Sequence, residues 1–339
     1  MLGLFPSREA GPFGRRLRRE RGARIPVTIV TGFLGAGKTT LLRRFLASPQ
    51  GQGTAVIVNE FGAVGIDDAL VRASADETVL LGNGCVCCIT RTDLQVALRR
   101  LVFERERGAV PPFGRIVIET SGLADPGPIL QTFSTDRALG GEFHIDVVLA
   151  VVDAVNGETA LETAAEARKQ AILADRLVIS KTDLAAPAAV ERLTQRLRQL
   201  NTHAAIDIAV DGALDPRRVI EPIAAERTGF VAEAAHGDGI ASFVIEMAQP
   251  IEYPTFARAM ETLIALRGSD LLRAKGILNV AGCRGPVVVQ YVHHLAHPPV
   301  ELESWPDQNR DGRVVFITRG IAELDVRNLF AAVRALAQA

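Results

Sequence analysis

From residue 25 onward, short runs of unbroken apolar residues alternate with longer stretches whose apolar positions recur every three or four residues. The runs at 25–31, 54–59, 78–81, 114–119, 145–153 and 176–180 predict strands covered on both faces. The stretches at 40–46, 93–104, 157–173 and 188–200 carry the helical period. Strand and helix in alternation predict an α/β fold, a mostly parallel sheet covered by helices. Sheets of this kind bind ligands beyond the carboxyl ends of their strands. The glycine-rich and carboxylate-bearing segments of this chain fall at those ends.

The pattern changes after residue 210. Residues 211–239 show no strong period and several breakers, which reads as a linker with room for a short helix. A smaller α+β unit follows. Its strands are expected at 241–247, 276–280, 286–292 and 313–317, its helices at 255–266 and 321–336, and its sheet is mostly antiparallel. At 339 residues the chain is long enough for two domains that each bury a core. The expected organisation is a basic tail at 1–23, the α/β domain at 24–210, the linker at 211–239 and the α+β domain at 240–339. The tail opens with a short apolar stretch at 1–5, and arginines follow at 15, 16, 18, 19, 21 and 24. That stretch is too short for a signal-peptide core and its charges come on the wrong side. A disordered basic tail is expected, with a transit peptide or an arm for an acidic partner as the alternatives.

Gly32, Phe33, Leu34, Gly35, Ala36, Gly37, Lys38 and Thr39 match the P-loop pattern between an expected strand and an expected helix. The glycines let backbone N–H groups turn toward a β-phosphate, and the helix adds its positive N-terminal end. Lys38 is expected to bridge β- and γ-phosphates, the Thr39 hydroxyl to ligate Mg²⁺, and Thr40 to join the nucleotide contacts. A second strand ends in Glu119, Thr120, Ser121 and Gly122. Glu119 suits the Mg²⁺ shell and the Gly122 N–H suits the γ-phosphate, so Lys38, Glu119 and Gly122 form the candidate catalytic set. A third strand ends in Ser180, Lys181, Thr182 and Asp183. The Asp183 carboxylate can accept from guanine N1–H and the exocyclic amine together, a donor pair that adenine lacks, so GTP is the expected nucleotide. The Lys181 stem can lie along the base plane. Guanine sites of this kind usually carry Asn where Ser180 stands.

Three of the four cysteines, Cys85, Cys87 and Cys88, fall within four residues on a glycine-rich segment. A disulfide framework would spread its cysteines along the chain. Three thiolates can converge on one ion and leave a position open for exchange. Soft ligands favour Zn²⁺, and geometry also admits Co²⁺. Buried structural cysteines and a redox pair are the other readings, although a disulfide between adjacent Cys87 and Cys88 would be strained. His293, His294 and His297 form a second candidate metal cluster, a type more often structural or solvated than ligating. Cys283 reads as a small residue in a glycine-flanked turn.

Composition narrows the partners. A formal net charge of -1 and an aromatic content of 5% argue against a protein that coats nucleic acid. No apolar run approaches the roughly 18 residues that span a bilayer. Among 38 basic residues the lysines are Lys38, Lys169, Lys181 and Lys275 alone, and Lys38 and Lys181 both lie in nucleotide motifs.

Taken in order, the P-loop, the run Asn59-Glu60-Phe61-Gly62-Ala63-Val64-Gly65-Ile66-Asp67, the cysteine segment at 84–88, the segment at 119–126 and the segment at 180–183 resemble the motifs of the CobW-like metallochaperone GTPases. Arg273-Ala274-Lys275-Gly276 and residues 314–319 resemble that family's C-terminal domain. The resemblance implies a cytoplasmic GTPase of slow intrinsic turnover that cycles between GTP and GDP. It would deliver Zn²⁺ or Co²⁺ to a client metalloprotein or cofactor pathway. By position it implies a first switch at 59–67, with Glu60 near the Mg²⁺ or the cargo metal, and a second switch at 119–125. It also implies Cys85, Cys87 and Cys88 as metal ligands, and a homodimer through the switch faces. Ala63 departs from the glutamate that many relatives carry, which removes a carboxylate near the switch. Two rivals stand beside this reading. A P-loop small-molecule kinase would prefer ATP, which Asp183 opposes. A non-catalytic zinc buffer or sensor would not hydrolyse GTP, and only Ser180 leans that way. Neither nucleic acid nor membrane is an expected partner.

Overall fold

The computed structural model describes residues 24–58, 79–81, 91–136, 138–201, 204–221, 240–292, 295–296, 299–305 and 308–338. The chain divides into two compact units between residues 236 and 237.

The first unit holds a seven-stranded sheet. In chain order its strands are β1 (Ile25–Gly32), β2 (Thr54–Val58), β3 (Val79–Leu81), β4 (Arg115–Glu119), β5 (Phe143–Asp153), β6 (Arg176–Ser180) and β7 (Ala205–Ile208). Across the sheet they run β3-β2-β4-β1-β5-β6-β7, and every pairing is parallel. The central strands are buried on both faces: Val27, Ile29, Ile116, Val117, Val148 and Leu177 are all sealed from solvent. Six of the strands coincide with the expected apolar runs. β7 has no such run, because it is a sheet edge and its Ile208 is exposed.

The helices of this unit are α1 (Lys38–Leu46), α2 (Arg91–Glu106), α3 (Gly127–Thr135), α4 (Leu139–Glu142), α5 (Gly157–Thr163), α6 (Ala165–Leu173), α7 (Pro187–Leu200) and α8 (Pro216–Ile220). α1 places Leu41, Leu42, Phe45 and Leu46 against Val30, Val117 and Val151 on one face of the sheet. On the other face Leu161 of α5, Ala167 and Ala171 of α6, and Leu193 and Leu197 of α7 pack on Ala150, Val152, Leu177 and Ile179. Neighbouring residues of β5 thus serve opposite cores, as strand pleat requires. Each fully buried leucine or phenylalanine here contributes about 1.5–3 kcal/mol.

The helix expected across 157–173 is broken at Ala164, whose backbone is extended. Arg168 takes up the freed helix end: its guanidinium donates to the Leu161 carbonyl at 2.9 Å and the Glu162 carbonyl at 3.0 Å. Helix α3 is announced by no helical pattern and starts behind Pro126, where the Asp125 side chain accepts from the Gly127 N–H at 2.8 Å. Residues 211–221, read as the head of a linker, form a tight turn and α8, and Val219 of α8 is buried in the same core as α1.

The second unit is an antiparallel sheet with two helices. Its strands are β8 (Ile240–Met247), β9 (Leu271–Leu278), β10 (Val287–Val292), β11 (Leu295–Ala296), β12 (Val300–Glu301) and β13 (Gly312–Arg319), ordered β11-β10-β9-β13-β8 with β12 also on β10. Helices α9 (Tyr253–Arg267) and α10 (Glu323–Gln338) pack on one face. The core between them is aromatic: Phe256 lies 5.6 Å from Phe330 and 6.2 Å from Tyr291, ring centre to ring centre. β9 starts at Leu271, before the expected 276, because its core-facing positions are as small as Ala274 and alternate with Arg273 and Lys275. No helix among the described residues is long and apolar enough to cross a membrane.

Candidate functional site

The site begins where β1 stops. Gly32 has φ 143°, and a Cβ there would lie 2.3 Å from the Val151 carbonyl oxygen of β5, so the chain can turn off the sheet only at glycine. Gly35 and Gly37 also take positive φ, and α1 starts at Lys38. The Lys38 ammonium curls over the loop and donates to the Gly32 carbonyl at 2.9 Å and the Phe33 carbonyl at 3.2 Å. On the next residue, the Thr39 hydroxyl donates to Glu119 Oε1 at 2.8 Å. Thr40 is exposed on the turn of α1 and faces Gly212.

β4 lies beside β1 and delivers Glu119, which is 4% exposed, to the loop. Behind it the Thr120 N–H donates to the Val30 carbonyl at 2.9 Å and the Thr120 hydroxyl to that of Thr31 at 2.9 Å. Residues 121–124 make a turn closed by the Ala124 N–H on the Ser121 carbonyl at 3.0 Å. Gly122 sits so close to the phosphate loop that a Cβ would meet the Leu34 nitrogen at 2.7 Å. Two side chains of α6 hold this segment. Gln170 donates to the carbonyls of Gly122 and Ala124, and Lys169 lies 2.9 Å from Asp125 Oδ2.

β6 supplies the third edge. The Ser180 hydroxyl donates to the Ala36 carbonyl of the phosphate loop at 2.6 Å. A hydroxyl thus ties the expected base segment to the loop, at the position where an asparagine is usual. Lys181 takes left-handed backbone, φ 56°, and its ammonium lies 2.7 Å from Asp153 Oδ2 at the end of β5. Asp153 also accepts from the Val155 N–H at 2.7 Å and the Asn156 amide at 3.0 Å. Burial alone would raise the Asp153 pKa, but the hydrogen bonds from Lys181, Val155 and Asn156 outweigh it and hold the carboxyl below its ordinary range. Asp183 is exposed, and its Oδ1 accepts from the Asp211 N–H at 3.3 Å. Asp211 opens the turn after β7 and pairs with Arg44 of α1.

The structure therefore brings Gly32, Gly35, Ala36, Gly37, Lys38, Thr39, Thr40, Glu119, Gly122, Ser180, Lys181 and Asp183 to adjacent strand ends of one sheet. Glu60 and the rest of 59–67, together with Cys85, Cys87, Cys88, His293, His294 and His297, lie outside the described residues. Among the described residues no group of three or more His, Cys, Asp or Glu is arranged to hold a metal ion. Cys283 packs beside the aromatic core of the second unit. Sequence reasoning passed over Asp153, Lys169, Gln170 and the turn at 210–213. Lysine scarcity was the available signal for Lys169: three of the chain's four lysines stand at this site.

The arrangement suits a nucleoside triphosphate. Loop N–H groups and Lys38 can take the phosphates. The Thr39 hydroxyl and the Glu119 carboxylate, already within hydrogen-bond distance, are two hard oxygen donors of the kind Mg²⁺ selects.

Comparison with known proteins agrees with this geometry. Residues 26–207 match the CobW/HypB/UreG nucleotide-binding domain, and residues 240–334 match the cobalamin synthesis protein cobW C-terminal domain. The chain is 36% identical over 318 residues to the zinc chaperone YjiA of Escherichia coli (strain K12), covering 91% of this chain and 99% of that one. It is 37% identical over 198 residues to the zinc-regulated GTPase metalloprotein activator 1 of Schizosaccharomyces pombe, covering 56% and 47% of the two chains. The crystal structure of Zn(II)-bound YjiA GTPase from E. coli superposes with a TM-score of 0.65 at 32% identity, over 92% of this chain and 99% of that one. With both of its domains matched in order, this chain belongs to the CobW family of P-loop proteins.

Proposed function

We propose that this protein is a GTP-hydrolysing metallochaperone that carries a thiophilic divalent metal, zinc before cobalt, to a client metalloprotein or cofactor pathway. The observation that carries the nucleotide half is the 2.8 Å contact between Thr39 and Glu119 at the mouth of the phosphate loop. Lys38 and the loop N–H groups bind the β- and γ-phosphates, Thr39 and Glu119 hold Mg²⁺, and Asp183 selects guanine. Mg²⁺, when bound, offsets the charge that builds on the β- and γ-oxygens. The Gly122 N–H reads the γ-phosphate. Water then displaces GDP from the γ-phosphorus, giving GDP and inorganic phosphate.

The cargo half rests on donor chemistry and on relatives. Cys85, Cys87 and Cys88 supply three soft thiolates, which suit Zn²⁺ and Co²⁺ over Mg²⁺. Relatives matched over nearly their whole length are named zinc chaperones. Free thiolate ligands suit a reducing compartment, which supports a cytoplasmic location. In this reading 24–210 is the GTPase domain, and the C-terminal domain recognises the client.

GTP and metal sites that communicate must do so reciprocally, typically by 1–3 kcal/mol. Titrating Zn²⁺ and Co²⁺ into reduced protein, with and without a non-hydrolysable GTP analogue, tests this. Tight binding that shifts with nucleotide and collapses in Cys87→Ala supports the proposal. Metal binding indifferent to nucleotide leaves a passive buffer, and no thiol-dependent binding removes the metal cargo.

A further inference from the structure

We infer that Gln170 is a positioning residue for nucleotide discrimination, holding the turn at 121–124 against the phosphate loop so that GTP and GDP are told apart. The inference rests on the reading of this site as a GTP site.

Gln170 lies in the middle of α6 and is 1% exposed. A carboxamide has two N–H donors and one oxygen acceptor. Its nitrogen lies 3.0 Å from the Gly122 carbonyl oxygen and 2.9 Å from that of Ala124, so its donors serve the turn. Oε1 is buried and, among the described residues, has no hydrogen-bond partner. A buried acceptor without a partner costs stability, and an apolar side chain of the same length would avoid that cost. Core packing therefore gives no reason for glutamine here, and the two bonds to the turn do.

The bonds matter because of what the turn touches. Gly122 presses on the backbone of Leu34 in the phosphate loop, with no room for a methyl group between them. Gln170 itself lines a small recess whose walls include Phe33, Leu34, Asp153 and Asn156. One side chain thus borders both the γ-phosphate turn and the underside of the loop. The preceding residue repeats the contact, since Lys169 engages Asp125.

The helix that carries these residues is itself tied down. Asn201, just past α7, shares the two N–H groups of its amide among the carbonyls of Ala171, Ile172 and Ala174, at 3.0, 3.0 and 2.9 Å from its nitrogen. These are carbonyls of the last turn of α6 and the residue after it, groups with no partner inside the helix. Through Ala174 and Asp175 the helix continues directly into β6, which bears Ser180 and the guanine segment. A switch segment needs a fixed point to be measured against, and α6 supplies it from the base side of the site.

The test compares wild type, Gln170→Met and Gln170→Glu. Met keeps the length and loses both donors. Glu keeps the shape and, when ionised, faces two carbonyls with acceptors only. Fluorescent GDP and a non-hydrolysable GTP analogue are titrated, and GTP turnover is measured. The expected result is GDP affinity within about twofold of wild type and GTP-analogue affinity lower by about tenfold, the scale of two neutral hydrogen bonds. Turnover should fall in kcat. Equal weakening of both nucleotides, or none, overturns the inference. If either Gln170 variant fails to fold, Lys169→Ala, made at a half-exposed position, must show a smaller loss for the GTP analogue alone. Wild type that binds no guanine nucleotide overturns the GTP reading and this inference together. Wild type that discriminates, beside variants that discriminate equally well, overturns only the role of Gln170.

Discussion

Thr39 and Glu119, eighty residues apart, meet through a 2.8 Å hydrogen bond from hydroxyl to carboxylate Oε1. Parallel pairing of β1 with β4 sets Val30 opposite Glu119, which brings the carboxylate to the start of α1. Thr39→Ala and Glu119→Gln each remove an oxygen donor suited to Mg²⁺. Each should lower GTP hydrolysis on the order of 10–100-fold. Raising Mg²⁺ should restore part of the loss in Thr39→Ala. A variant with unchanged Mg²⁺ dependence would exclude its residue from the metal shell.

Ser180 acts on the loop and not on the γ-phosphate. Ser180→Ala loses the bond to the Ala36 carbonyl and should weaken GTP and GDP alike, by about fivefold, the scale of one hydrogen bond. Equilibrium titration of both nucleotides decides it. A selective loss of one nucleotide would assign Ser180 a different part.

Asp183 should behave differently again. Asp183→Ala removes the acceptor proposed for the guanine donor pair and should lower the preference for GTP over ATP by about a hundredfold or more. Competition between the two nucleotides for one fluorescent analogue gives the ratio. A preserved ratio would move guanine selection elsewhere.

The acid limb of stability should depend on Asp153. Its folded pKa lies below the ordinary value of 3.8, because Lys181, Val155 and Asn156 stabilise the carboxylate against the opposing effect of burial. A depressed carboxyl pKa adds stability that is complete above the unfolded value and is lost as pH falls through the folded one. Asp153→Asn should therefore be less stable than wild type at neutral pH, and the gap should close below about pH 4. Denaturant unfolding at several pH values measures it. A gap that stays constant into acid would mean that the ion pair adds nothing.

The parts of this site legible in the sequence are those with a fixed local spacing. The phosphate loop declares itself because glycine, lysine and threonine must stand at set positions on one turn. The strands declare themselves because β1, β4 and β6 are buried on both faces and cannot alternate. Gln170 and Asn201 do not, since a buried amide looks like any polar residue until the carbonyls it serves are known, and those of Gln170 lie 48 and 46 residues away. Helix α8 is legible only as room for a short helix, because its single buried anchor, Val219, makes no period that would place it. Only the first half of β9 stays hidden, because Arg273 and Lys275 around Ala274 interrupt its apolar run.

The parallel sheet also sets an order on synthesis. Val27 of β1 pairs with Ile116 on one side and Ile145 on the other, and Gly32 turns beside Val151. The segment that bears the phosphate loop therefore leaves the ribosome early and waits for both of its neighbours. Until residue 151 has emerged, Gly32 lacks its β5 neighbour, so a shorter nascent chain has an incomplete nucleotide site. Capture of the first GTP becomes a marker that translation has passed β5, and a chain stalled before it would leave the β5-facing edge of β1 unpaired and apolar.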